Sequence, residues 1–437
     1  MNDKIVTDKC CKCVVWFRKY WLKIGMITLL NDSRIDEMLL MITALYTLYI
    51  FIKLYAAFME IGFVAKAKHE KAIILSPSHY IKAAHYKIAS QKFSIVSTFF
   101  ELLLFIAWMG FGLVWLESSL VSIENETLKS LLFMAIFLSI NYLSSLPFDF
   151  YQTFGLDKTF GFSTIDMKTF LLDQLKSIAM FFVFGGAFFW AMVTIINSFE
   201  HWWVYGFAFS FIVILFINMI YPIVIVPLFN KLTPLEDESL KSSIEALLQK
   251  AGLKSSGVYS LDASKRDNRL NAYFGGLGRS KRVVLFDTLI AKLNKSELLA
   301  VLGHELGHFK HGDILKNIVS SGIMLFIMFA LFGNLPEELF ESLHVKGGAH
   351  MILVFFFLFS PVFSFAMMPL FGLVSRYNEY RADEYGSECE SKEALSSALV
   401  KLADENKSFP LSHPLTIALY FTHPPLVERL KKLGISF

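Results

Sequence analysis

The chain has 437 residues, 55% of them hydrophobic and 16% aromatic, including 45 Phe, and only 18% are charged. Mean hydropathy is +0.51 and the formal net charge is +3. This is too apolar for an ordinary soluble domain and too lightly charged for a disordered one, and it gives no basis for a nucleic-acid partner.

The N-terminal segment holds Cys10, Cys11 and Cys13. With four cysteines in all, no disulfide framework is expected. The cluster reads as ordinary thiols, with acylation or metal binding as the alternatives. "VVWFRKYWLKIGMITLL" (14–30) reads as an amphipathic helix or a partial insertion. Its apolar run at 24–30 is too short for a cleavable signal peptide and lacks a small-residue cleavage site.

Seven apolar stretches follow, at 38–58, 94–116, 129–147, 177–197, 203–229, 317–335 and 350–374. About 20 such residues cross a bilayer. Lys53 lies inside the first stretch. The simpler reading is a lysine snorkelling near a helix end, and the alternative is one lining a polar interior. Seven spans place 59–93, 148–176, 230–316 and 375–437 on one side of the membrane. These segments are rich in Lys and Arg, so positive-inside counting predicts that they are cytoplasmic. The other side carries Lys346 as its only basic residue. The N-terminal segment would then lie outside, yet it is basic too (Lys4, Lys9, Lys12, Arg18), so its side stays open.

The first large polar block, 230–316, reads as an amphipathic helix over 233–253 ending at Gly252, then a strand over 257–262. A β-hairpin follows over 269–290, with "GGLGRSKR" as its turn. No Gly-Lys-Ser/Thr follows these glycines and no helix opens there, which excludes a phosphate loop. "NKSELLAVLGHELGHFKHGDILKN" (294–317) is predicted as one helix, capped by Asn294 or Ser296 and running on into the sixth span.

That helix carries His304 and His308, one turn apart on one face. Two imidazoles at this spacing suit tetrahedral zinc. Glu305 projects beside the first, where it can take a proton from a water acidified by the metal. A catalytic zinc needs a third protein ligand and an open position. The downstream candidates are Glu379, Asp383, His413 and His423. In "SRYNEYRADEYG" (375–386), Glu379 and Asp383 share a helix face. One could bind the metal while the other accepts the outer N–H of a ligand histidine. The residues alone do not choose between them. His311, two turns after His304, reads as a surface histidine.

"HELGH" followed by "SRYNEYRAD" at the end of a late span resembles the membrane-embedded zinc metalloproteases typified by type I CAAX prenyl protease. "VPLFNKLTPLED" (226–237), "NAYFGG" (271–276) and "THPPLVERLKKL" (422–433) resemble further elements of that family. So does "PFDFYQTFGLDKTFGFS" (147–163), although the family usually has Glu at the position of Asp157 and Asn at that of Ser163. The resemblance implies that Glu379 is the third zinc ligand and Asp383 its neighbour that orients a histidine. It implies that Asn271 and Ala272 offer backbone groups to an extended substrate, and that His423 and Arg429 lie near the oxyanion. Arg429 could instead pair with Asp383. It also implies a chamber enclosed by the spans. The "HGD" after the motif is closer to the smaller heat-shock protease HtpX, which has fewer spans.

The expected protein is mainly α, with about seven transmembrane helices and a small α+β zinc metalloprotease domain carrying a short β-hairpin. It divides into 1–229 (tail and spans one to five), 230–316 (protease block), 317–374 (spans six and seven) and 375–437 (third-ligand block). The expected function is an integral membrane zinc endopeptidase with one Zn2+ per chain, acting on a prenylated or membrane-bound peptide from the cytoplasmic side. Quality control of the HtpX type is the alternative. A transporter or lipid-binding protein with a structural zinc, closed by His423 as a fourth ligand, is the rival from another class. Composition favours a bacterial inner membrane, with the endoplasmic reticulum membrane if the source is eukaryotic. No feature specifies an oligomer.

Overall fold

The computed structural model describes residues 33–253, 255–276 and 281–435. The N-terminal cysteines, the 14–30 segment and the tip of the hairpin turn lie outside these residues.

Five long apolar helices come first: α1 (Glu37–Ala67), α2 (Pro77–Ser119), α3 (Glu126–Asp157), α4 (Met167–Ser198) and α5 (Trp202–Phe229). A mixed block follows, with β1 (Leu232–Pro234), α6 (Glu238–Lys250), β2 (Val258–Leu261), β3 (Ala272–Gly275), β4 (Arg282–Phe286), α7 (Asp287–Lys292) and α8 (Lys295–Lys310). Then come α9 (Asp313–Phe332), α10 (Glu337–Ser342), α11 (Ala349–Cys389), α12 (Lys392–Glu405), α13 (Pro414–Tyr420) and α14 (Leu426–Lys432). With α9 and α11, seven helices are long and apolar enough to cross a membrane, as expected.

Several helices run well past their apolar stretches. Hydropathy sees only the part that matches the bilayer, while the helical backbone continues into polar residues. Much of 59–93 and 148–176, the segments between expected spans, is therefore helical. The extreme case is α11, whose 41 residues reach about 60 Å. Its apolar part belongs to the membrane region, and its far end carries Glu379 and Asp383 beyond it.

The membrane core is largely aromatic. Phe105, Trp108, Phe133, Phe137 and Phe355 are buried, and Tyr46 stacks on Phe105. Lys53 does not snorkel. Its Nζ lies 2.7 Å from Glu101 Oε2 on α2, and the hydroxyls of Tyr46 and Tyr49 donate to Glu101 Oε1 at 3.3 and 3.2 Å. A hydropathy reading takes one helix at a time and misses a charge neutralised from the next one.

The sheet order is β1-β2-β4-β3. The predicted hairpin is present as the antiparallel pair β3–β4, and β2 lies parallel to β4. Two details differ from expectation. β1 is too short to show a pattern, yet pairs antiparallel with β2. The second hairpin strand stops at Phe286 and the chain turns helical at Asp287, whose Oδ1 accepts the N–H groups of Ser264 and Thr288. Leu240 and Ile244 of α6, Val283 and Leu285 of β4, and Leu302 and Leu306 of α8 form one core beneath the sheet. The helix expected over 233–253 is present as α6 but starts only at Glu238, because residues 233–234 belong to β1; Asp237 caps it, and the left-handed Gly252 (φ 72) follows its end as expected.

The 294–317 segment is not one helix. Asn294 and Glu297 form a capping box at its start, but α8 ends at Lys310. Gly312 adopts φ 70, a conformation open to glycine, and a new helix begins at Asp313.

Ion pairs tie the block to the spans at one end. Arg269 binds Asp157 at the end of α3 (2.7 Å), and Arg266 grips Asp173 of α4 at 2.8 and 3.0 Å. At the opposite end, Glu117, Lys129 and His350 join α2, α3 and α11.

Glu101→Leu leaves the Lys53 ammonium without its carboxylate and should destabilise the protein by about 2 kcal/mol. That is below the range for fully buried pairs because the two side chains are 20% and 31% exposed. Adding Lys53→Met should recover most of the loss, as read by thermal unfolding in detergent. An equal loss in the single and double variants would show that the pair carries no weight.

Candidate metal centre

The site is built where α8 crosses α11. A Cβ at Gly307 would lie 2.8 Å from Ala382 Cα, and one at Gly386 would lie 2.8 Å from His304 N. Both contacts are to backbone, which cannot swing aside. The two helices therefore touch nearly main chain to main chain, and the α11 side chains reach the α8 histidines.

His304 Nε2 lies 3.5 Å from Glu379 Oε2, and His308 Nε2 lies 3.1 Å from Glu379 Oε1. One ligand atom from each residue falls within 4.8 Å of the others. The outer nitrogens are held by carboxylates. His304 Nδ1 sits 2.8 Å from Asp383 Oδ1, and His308 Nδ1 sits 3.1 Å from Asp313 Oδ2. With Nδ1 of each ring engaged by a carboxylate, Nε2 is the nitrogen turned to the shared centre, free to bind a metal once it has lost its proton. Glu379 Oε2 is buried and makes no hydrogen bond. Two imidazoles, a carboxylate and an orphaned buried oxygen suit a divalent cation of zinc's type.

Asp383 is itself clamped. Arg429 donates to it from Nε (2.8 Å) and Nη2 (2.6 Å). Of the two arrangements expected for Arg429, this is the pairing one, with Nη2 also 3.8 Å from Glu379 Oε2. His423 points Nε2 to within 3.3 Å of Glu379 Oε1 but does not join the three-residue group. Three grouped protein ligands rather than four fit a catalytic site better than a closed structural one. His413 caps α13 instead, where its Nδ1 accepts from Leu415 N–H. His311 ends α8, with its ring near Tyr385.

Glu305 makes no hydrogen bond or ion pair among the described residues. Burial raises its pKa, so its carboxylate is a stronger base than an exposed one. Desolvation by the surrounding site and the positive Arg429 lower that of His423, although Glu379 opposes them and the side chain is 63% exposed. Burial alone would lower His304. The carboxylates of Asp383 and Glu379 outweigh it and push the ring up to about 9.

Asn271 and Ala272 open the edge strand β3. The Asn271 carbonyl accepts from Phe286 N–H (3.1 Å), so it faces β4, and the Ala272 N–H is held by Asn271 Oδ1 (2.8 Å). Of the expected pair, Ala272 is the residue whose backbone turns outward.

Sequence reasoning missed Asp313. The signal was "HGD", because only a left-handed glycine can fold the chain back so that an Asp five residues on meets His308.

Residues 64–231 match the model described as CAAX prenyl protease N-terminal, five membrane helices, and residues 234–434 match peptidase family M48. CAAX prenyl protease 1 of Saccharomyces cerevisiae is 33% identical over 389 residues, covering 80% of this chain and 85% of its own. The chain belongs to the CAAX prenyl protease family of M48 peptidases. The Homo sapiens CAAX prenyl protease 1 homolog is 32% identical over 357 residues, covering 71% and 74%. The crystal structure of S. mikatae Ste24p superposes with a TM-score of 0.83 at 30% identity, covering 91% of this chain and 99% of that one. The protein is thus a multi-pass membrane metalloendopeptidase. The five-helix match favours this family over the HtpX alternative.

Asp313→Asn and Asp383→Asn should each weaken metal binding by about 10–100-fold, as read by chelator competition. Unchanged affinity would remove the orienting role. A metal must displace the His304 proton below about pH 9. Affinity should therefore climb with pH, by up to about tenfold per unit, and flatten above that value.

Proposed function

We propose that the chain is a zinc endopeptidase that cleaves prenylated, membrane-associated peptides close to their C-terminus. The relatives' names support the substrate class. The observation that carries the chemistry is an uncommitted, half-buried Glu305 beside three converging ligand side chains.

In this reading His304, His308 and Glu379 hold one Zn2+. Bound there, the metal would supply an acidified water and a polarised scissile carbonyl. Glu305 takes the proton from the attacking water and passes it to the leaving amine. His423 donates to the oxygen that becomes negative, a contribution of about 10²–10³ in kcat for such donors. Arg429 positions Asp383, and Asp383 and Asp313 orient the two histidines. The substrate lies extended along β3 and takes up the outward backbone of Ala272, with Asn271 shaping its approach.

We place the site toward the cytoplasmic face, on the strength of the Lys- and Arg-rich segments gathered at its end. An endoplasmic reticulum membrane fits the yeast and human relatives, and the bacterial inner membrane has no comparable support. The division into 1–229, 230–316, 317–374 and 375–437 remains our working scheme.

The test is cleavage in detergent of matched peptides ending in Cys-aliphatic-aliphatic-X, farnesylated and plain, by wild type and Glu305→Gln. We expect the wild type to favour the farnesylated peptide. Glu305→Gln should lose at least about 10³-fold in kcat while retaining its metal. Retained turnover in that variant would overturn the mechanism, and equal cleavage of both peptides would point to broader quality control.

A further inference from the structure

A cavity of about 560 Å³ opens beside the metal centre, between α2, the end of α12 and the segment that carries His423. Its lining includes Lys87, Lys407 and Arg429 but no Asp or Glu. Two of these cations already have partners. Arg429 holds Asp383, and Lys87 lies 3.4 Å from the buried Glu60. Lys407 has no carboxylate within 4 Å among the described residues. Its ammonium meets the Phe162 ring at 3.9 Å and the Glu405 carbonyl at 3.4 Å. Burial and nearby Lys82 disfavour its charge, a tension that an arriving anion would relieve.

The backbone presents this lysine at an uncommon position. Ser408 N–H bonds to Ala403 O and Lys407 N–H to Asp404 O, the two closing bonds of a helix end. Lys407 itself adopts φ 47, where glycine is the usual residue. Next to it, Asn406 reaches back to the edge strand. Its Oδ1 accepts from Leu270 N–H at 2.8 Å, and its Nδ2 donates to Leu270 O at 3.1 Å. Leu270, Ala272 and Phe274 share one parity, so their backbone groups face away from β4. The Asn406 amide therefore occupies the edge position just before Ala272, whose backbone faces the substrate side with its N–H held by Asn271 Oδ1. A peptide pairing antiparallel with β3 runs from Phe274 toward Leu270 and meets Asn406 as a stop. Beyond that stop lie Lys407 and the cavity. Three extended residues reach about 10 Å, a length suited to a pocket of this size.

We propose that this cavity receives the residues on the C-terminal side of the scissile bond, and that Lys407 binds the free C-terminal carboxylate of the substrate. The proposal rests on the reading of the chain as a protease that cuts near a C-terminus. It adds a reason for the position of the cut: the end of the chain is anchored, and the scissile bond is measured from it.

Four peptides of one sequence test it: farnesylated or plain, each as the free acid or the C-terminal amide. The wild type should favour the acid over the amide by at least tenfold in kcat/KM. Lys407→Gly suits the left-handed backbone and removes the side chain with its charge. It should bring that ratio close to one by raising KM for the acid, and Lys407→Arg should restore it. A wild type that cleaves acid and amide alike overturns the proposal, as does a Lys407→Gly that keeps the full ratio. The prenyl reading fails separately, if plain and farnesylated peptides are cleaved alike while the acid is still preferred. If no peptide is cleaved, calorimetry with the tripeptide Val-Ile-Met decides. Tighter binding of the acid than of the amide, lost in Lys407→Gly, supports the pocket, and equal or absent binding overturns it.

Discussion

The near-contact of two helix backbones is the constraint on which the site depends. Gly307 against Ala382, and Gly386 against His304, leave no room for a side chain between α8 and α11. Because the axes are this close, Glu379 reaches both imidazoles and Asp383 reaches the back of one of them. A single extra methyl at Gly386 would press on the amide nitrogen of His304. The small residues are thus as much a part of the metal chemistry as the ligands.

A second set of constraints ties this centre to the membrane helices. α11 runs unbroken from the membrane core to Cys389, so the third candidate ligand is carried by a span rather than by a loop. The edge strand is held from below by Arg269, which bonds to Asp157 of α3 while Tyr86 of α2 donates to the same carboxylate. Asn406 of the α12 end fixes Leu270 one step further along. Substrate path and metal are therefore referred to one rigid frame, and a carboxylate at 157 matters although it is remote from the metal.

What could be read from the chain followed the range of each signal. His304, Glu305 and His308 were legible because one helical turn brings them together. The spans were legible because a bilayer imposes a length. Choosing Glu379 over Asp383 needed the family resemblance, since both lie on one face and only the crossing of α8 and α11 decides which one points inward. Asp313 was not legible, because its role depends on the left-handed Gly312. The pairing of Lys53 with Glu101 joins residues far apart in sequence on separate helices, and per-helix hydropathy holds no information about it. The Lys407 cavity gathers side chains from three separate segments, with no local pattern to announce it.

The most direct test of the central claim is a metal titration of activity. The protein would be stripped with a chelator and zinc returned in sub-stoichiometric steps, with cleavage of the farnesylated peptide followed at each step. The account predicts that activity is lost on stripping and returns linearly up to one zinc per chain. Full activity in the stripped protein, or a plateau at two or more zinc ions per chain, would contradict it.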